Sequence, residues 1–209
     1  HEARPELALM VGFNRRFAPM VAELKRALAR VAEPLMLHYR VNAGYIPPDH
    51  WTQDPAEGGR LLGECCHFID LLLYLARGPL RRVTTRALPD GGRYRRDNLL
   101  VTLEFADGSL GTVTYVANGD KAFGKECLEV FGGGLSARLE DYRALSIRCG
   151  RTRIQRTARL RQDKGHRGEW LALVRHLAGD GPEPMTFDEA VASTLATLAA
   201  VRSLECGEP

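Results

Sequence analysis

Residues 98–118, NLLVTLEFADGSLGTVTYVAN, decide the fold. Apolar and polar side chains alternate through 99–105 and again through 110–116, the period of a half-buried strand, and Asp107-Gly108 between the two runs is a two-residue hairpin signal. Working outward, the same period appears in LRRVTTRAL (80–88), ECLEVFG (126–132), LSARLE (135–140), ALSIRC (144–149) and RTRIQRT (151–157). No helical pattern separates these runs, so they pair largely antiparallel in a broad meandering sheet. A further strand fits 34–42, PLMLHYRVN.

Helical periodicity is confined to the two ends of the chain. Pro19 opens a helix whose apolar face is Met20, Val21, Leu24, Ala27 and Leu28, and a second, GGRLLGECCHFIDLLLYL (58–75), is apolar nearly all round from Leu61 to Leu75. Residues 167–178 carry Trp170, Val174 and Leu177, and Thr186 with Glu189 forms a capping box for a last helix that stops near Gly207. This is an α+β pattern: a large, open, mostly antiparallel sheet with helices on one face. The other face is left to solvent or to a second copy.

Composition narrows the function. A chain of 209 residues with 44% hydrophobic content buries a sizeable core, and a formal charge of +3 is too small to argue for nucleic acid or an anionic membrane as partner. No apolar run approaches the ~20 residues of a membrane span, and the first residues lack a secretory pattern. Five cysteines, an odd number with Cys65 and Cys66 adjacent, read as reduced thiols, not as a disulfide framework or a zinc site. The expectation is a soluble cytoplasmic protein.

Two motifs are set aside on context. FGGGLSA (131–137) matches G-x-G-x-x-A, but no βαβ unit follows and the acidic residue expected ~20 positions on is replaced by a basic stretch, so it reads as a hairpin turn. The arginines between 148 and 167 interleave with Ile154 and Leu160 without aromatic stacking partners, which is an exposed hairpin face.

The helix over 61–75 is more informative. Glu64, His67 and Asp70 recur at intervals of three, so a carboxylate, an imidazole and a second carboxylate lie along one side of an otherwise apolar rod. Each needs a partner or a purpose. Imidazole moves protons near neutral pH, and a neighbouring carboxylate orients it and raises its basicity. The preceding loop, AGYIPPDHWTQDPAEGG (43–59), is too long for a mere connector.

Taken in order, VGFNRRFAPM, then GG followed by HFIDLLLYL, then DKGHRGEWLALV and EAVASTLATLAAVRSL resemble the C-terminal half of the glucose-fructose oxidoreductase, inositol dehydrogenase and MocA (Gfo/Idh/MocA) family over almost the whole chain. The resemblance implies an α+β domain like the C-terminal domain of glyceraldehyde-3-phosphate dehydrogenase, which commonly oligomerises through its open sheet face. It also implies an absent N-terminal Rossmann domain that binds NAD or NADP. Residues 1–17 then hold the last strand of that domain, Leu7 to Phe13, and the junction, and 18–209 form the substrate-binding and oligomerisation domain.

The implied reaction is hydride transfer to or from a sugar, inositol or polyol, which needs a base for the hydroxyl proton. His67 matches the family's acid/base histidine and Asp70 the Asp of its H-x-I-D pattern. The Asp that often stands four residues before the histidine is Gly63 here, with Glu64 next door as the candidate replacement. Asn42, Tyr45, His50, Trp51 and Asp70 are candidate substrate ligands; Asn14, Arg15 and Arg16 approach the cofactor or seal the domain contact; no metal is expected. The family's lysine, in a Glu-Lys-Pro motif, is absent from this chain, so the piece alone is expected to be inactive. The rival expectation is a non-catalytic oligomerisation module, with fusion to an upstream zinc-dependent alcohol dehydrogenase domain as one version.

Overall fold

The computed structural model describes residues 8–54, 58–158 and 160–208. Among the described residues, eight strands form one sheet in the order β2-β3-β4-β1-β5-β6-β7-β8. They are β1 (Met36–Asn42), β2 (Leu80–Ala87), β3 (Leu99–Phe105), β4 (Leu110–Val116), β5 (Glu126–Gly132), β6 (Leu135–Glu140), β7 (Ala144–Cys149) and β8 (Thr152–Thr157). Every neighbouring pair is antiparallel except β1 and β4, which run parallel with Met36 opposite Leu110. The meander expected from the period-two runs is therefore present, with β1 inserted at its centre. That insertion needs a long crossover, and the chain from 43 to 79 supplies it.

The deciding hairpin closes differently from the two-residue signal. Phe105 N donates to Ser109 O at 3.0 Å and Gly108 N to Phe105 O at 3.1 Å, with Gly108 at φ +85°. This is a turn followed by one left-handed residue, the three-residue form of hairpin, and it places glycine where a side chain would be strained. Gly133 and Gly134 join β5 to β6 in a tight turn, so FGGGLSA is a hairpin as expected. β7 and β8 pair as a hairpin in which β8 is mostly exposed, while Leu145 and Ile147 of β7 enter the core.

Helices α1 (Pro19–Leu28), α2 (Cys66–Leu75), α3 (His166–Leu177) and α4 (Phe187–Cys206) complete the chain. Alternate strand residues such as Leu37, Tyr39, Val41, Val101, Leu103, Val113 and Tyr115 point to one sheet face, where they meet Leu24, Phe68, Ile69, Leu71, Leu72 and Leu75 in a continuous core. Burying each large apolar side chain contributes roughly 1.5–3 kcal/mol before the cost of ordering it. Thr186 and Glu189 form the reciprocal capping box of α4, and Gly207 ends it at φ +73°.

Residues 8–13 pair with none of the described strands, Leu9 is 44% exposed, and Asn14–Phe17 follow as a 3-10 turn. The strand expected over Leu7 to Phe13 belongs to an upstream sheet, whose strands would satisfy its backbone groups; Leu7, its first residue, is outside the described residues. The helix over 61–75 is also not uniform, for Leu61–Cys65 are wound as a π-helical turn before α2 begins. A π turn inserts an extra residue and is frequent at functional sites.

Candidate functional site

His67 lies in the first turn of α2, just after the π turn, half-buried, with its ring edge-on to Phe13 at 5.8 Å between centroids. Its Nδ1 is sealed from solvent with no hydrogen-bond partner among the described residues. Burial, and next the charge of Arg15, lower the imidazole from its ordinary range to about 4, while Glu126 and Glu64 push the other way. The ring is therefore neutral at physiological pH, able to accept a proton but a weak base. The adjacent thiols of Cys65 and Cys66 are raised by burial, Cys66 to about 11, so both are protonated there.

Beside His67 lies an ion cluster made from three distant segments. Arg15, in the 3-10 turn, donates to both carboxylate oxygens of Glu126 at the start of β5, at 3.0 and 3.1 Å, and lies over the Phe68 ring. Lys164 Nζ takes the same carboxylate at 2.5 Å, and Tyr39 donates its hydroxyl to it at 2.6 Å. Burial opposes the charge of Glu126, yet the hydrogen bonds and charges of Arg15 and Lys164 prevail and hold it down to about 2. Asn14 donates to Lys164 O at 2.7 Å and comes within 3.4 Å of His166 Nε2. Gly165 between them is required: it sits at φ +92°, and a Cβ there would lie 2.2 Å from Asn14 O.

Glu64 is engaged elsewhere. It accepts from Tyr115 Oη at 2.9 Å and pairs with Arg60 at 3.1 Å, while Arg60 lies over the Tyr115 ring. It acts on His67 through its charge, not through a hydrogen bond. Gly63, where the family often has Asp, faces open space, since an added Cβ would meet nothing within 4 Å.

Several expected ligands do not fit that role. Asp70 is fully buried, bound by both arms of Arg16 and by Ser193 Oγ at 2.8 Å, so a substrate cannot reach it. Asn42 is 5% exposed, and its amide nitrogen is spent on Asp120 O and Phe123 O at 2.7 and 3.2 Å. Arg15 and Arg16 are buried in ion pairs and the Asn14 amide is committed to Lys164 O, so these three do not fit a nicotinamide cofactor. A cofactor's anionic groups would have to displace carboxylates already in place.

The loop residues stay nearer the surface. Tyr45 packs edge-on to Tyr94 at 6.1 Å with Arg93 over its face, and His50 accepts from Thr52 N at the start of a short turn. Trp51 is 71% exposed, while Gln53 in the same turn is buried and bonded to Asp97. The segment is thus anchored to the 93–98 turn, with two aromatic groups partly free. A separate cavity of about 910 Å³ lies between α4 and β2, lined by Tyr74, Val83, Leu195 and Ser203, and holds neither His67 nor Glu64.

Glu126, Lys164 and His166 were not singled out from sequence. A signal existed: Glu126 is a carboxylate at an inward strand position, and Asp163 to His166 interrupt a basic stretch just before a helix.

A family model described as the GFO/IDH/MocA C-terminal domain matches residues 21–137. An inositol 2-dehydrogenase from Saccharopolyspora erythraea is 30% identical over 131 residues, 60% of this chain and 37% of that protein. Another from Paenarthrobacter aurescens is 27% identical over 205 residues, 94% of this chain and 60% of that protein. The crystal structure of an NAD binding oxidoreductase from Klebsiella pneumoniae superposes with a TM-score of 0.78 at 20% identity, covering 99% of this chain and 66% of its own. The chain therefore spans 60% or less of these curated relatives' length.

Proposed function

The chain belongs to the GFO/IDH/MocA C-terminal domain family, and on that premise we propose that it is the substrate side of an NAD(P)-dependent oxidoreductase acting on a sugar-, inositol- or polyol-like alcohol. Residues 18–209 are the substrate domain and 1–17 the junction with a dinucleotide-binding domain in the longer protein. The observation that carries this reading is His67: a half-buried, neutral imidazole whose Nε2 is uncommitted, set beside fixed charges instead of being closed into the aliphatic core.

In this reading His67 Nε2 takes the proton from the substrate hydroxyl. Phe13 limits the tilt of the ring. Glu64, held by Tyr115 and Arg60, supplies a nearby negative charge that favours the protonated ring once the proton arrives. Tyr45, His50 and Trp51 form the outer wall that receives hydroxylated ligand surface. NAD or NADP supplies the hydride chemistry and is bound by residues outside this chain. The free thiols favour a reducing compartment, in keeping with a cytoplasmic protein.

In the longer natural protein, His67→Asn is expected to lower turnover at least tenfold with an unchanged circular dichroism spectrum. Unchanged turnover would contradict the assignment. A second reading, a non-catalytic assembly domain, is favoured by the outer sheet face, where Met36, Leu110 and Phe131 sit side by side on three adjacent strands and are 39–47% exposed. Homo-oligomerisation through that face is compatible with either reading. An inactive His67→Asn protein that keeps its oligomeric state separates the two.

A further inference from the structure

Helix α3 turns its apolar side outward. Among its 12 residues only Glu169 is buried, while Trp170, Leu171, Val174 and Leu177 are 46–66% exposed. At about 100° per residue these four fall on one side, roughly half a turn away from Gly165, Gly168 and Glu169. Arg167 shares that side in the first turn, and His166 and Arg175 border it. The opposite side is fixed to the 3-10 turn: a Cβ at Gly165 would lie 2.2 Å from Asn14 O, and one at Gly168 2.6 Å from Phe17 O. With its glycine side held that closely, α3 cannot roll to hide the four apolar side chains against its own domain. A contiguous apolar stripe left in water marks a surface that a partner covers.

The path of the chain indicates which partner. Phe13 packs with Met185 and Ala190, and Val11 lies against them. The 3-10 turn that follows, Asn14–Phe17, is the element on which α3 sits. Chain leading into Val11 is therefore delivered beside α3. This chain spans 60% or less of its curated relatives' length, enough missing sequence for a further domain. Resting on the oxidoreductase reading above, we propose that the upstream dinucleotide-binding domain of the longer protein docks on the Trp170, Leu171, Val174 and Leu177 face of α3. Phe13, in the same entering segment, meets the His67 ring, so a domain seated on α3 is held in a fixed relation to the imidazole. Met36, Leu110 and Phe131 of the outer sheet face belong to other elements, which leaves that face to a second copy.

The test uses the longer natural protein carrying Val174→Cys, a change outside the candidate site. Maleimide labelling at position 174 is timed by peptide mass spectrometry in native and in urea-unfolded protein, at two protein concentrations a hundredfold apart. Native labelling is expected to be at least fivefold slower than unfolded labelling at both concentrations, as a domain of the same molecule requires.

A ratio below fivefold at both concentrations means an open face and overturns the proposal. Protection found only at the higher concentration assigns the face to a second copy and overturns it as well. Its failure is separable from that of the oxidoreductase reading. An open position 174 together with lost turnover in His67→Asn removes this inference alone. A protected position 174 with unchanged turnover in His67→Asn leaves the docked arrangement and removes the enzyme.

Discussion

Arg15 and Arg16 are neighbours in the chain, and they end in two different environments. Arg16 goes inward among helices, where Asp70 holds it with two oxygens, Ser193 completes Asp70, and Glu189 of α4 stands 3.3 Å away. Its side chain is 3% exposed and that of Asp70 is 0% exposed. Arg15 goes to the sheet, where Glu126 is shared with Lys164, whose side chain is 20% exposed. The first is a closed lock between the 3-10 turn, α2 and α4. The second is a shared-carboxylate cluster beside an imidazole. One dipeptide thus fastens the domain and sets the charges at its candidate site.

The contrast breaks most sharply at the lock. Arg16→Met leaves Asp70 buried and unpaired, and is expected to cost about 3–5 kcal/mol in urea unfolding. Adding Asp70→Leu should recover most of that loss, because the buried charge goes with its partner; a double variant as unstable as the single one would show that the pair does more than neutralise itself.

At the open cluster the effect is smaller. Glu126→Gln leaves Arg15 buried without its counter-charge but lets Lys164 turn to water, so about 2–3 kcal/mol is expected by the same measurement. The Arg16→Met loss should exceed it. The reverse order would mean that the cluster, not the lock, holds the domain together.

Acid separates the regions without mutation. Glu126 sits at about 2 against an ordinary 4.5, so the stability it contributes is present above 4.5 and disappears as pH falls toward 2, on the order of 3 kcal/mol. His67 acts in the same direction in a higher window. Its value of about 4 against 6.5 means that the unfolded chain takes up a proton first as pH falls from 6.5 to 4. Melting temperature should therefore decline below pH 6.5 and more steeply below 4.5, and in Glu126→Gln the lower step should vanish. Smallest of all, Trp51→Ala should change stability by no more than about 0.5 kcal/mol, since the ring is mostly in solvent.

The sheet was legible because its signal is local. Alternation in 99–105 and 110–116 and the glycines of the turns are set by neighbours in sequence, and the meander follows from short connections, whereas the central place of β1 depends on the 43–79 crossover. The Thr186 and Glu189 capping box, likewise local, formed as read. Partners at the site are not local. Nothing near Asp70 in the chain announces that Arg16, 54 residues earlier, will consume it. Spacing places Glu64 on the side of His67, but the π turn and the Tyr115 hydroxyl on β4 draw its carboxylate away. Asn42, readable as a ligand by residue type, is spent on carbonyls 78 and 81 residues downstream. Residue identity shows which groups can do chemistry; which of them remain free depends on contacts made across the fold.

The central claim is that His67 is an uncommitted imidazole kept neutral by burial and by Arg15, and a pH titration of its ring resonances tests it most directly. A midpoint near 4 is predicted. A midpoint at or above the ordinary 6.5 would place the ring in bulk solvent or against an unshared carboxylate, and would contradict both the site and the function built on it.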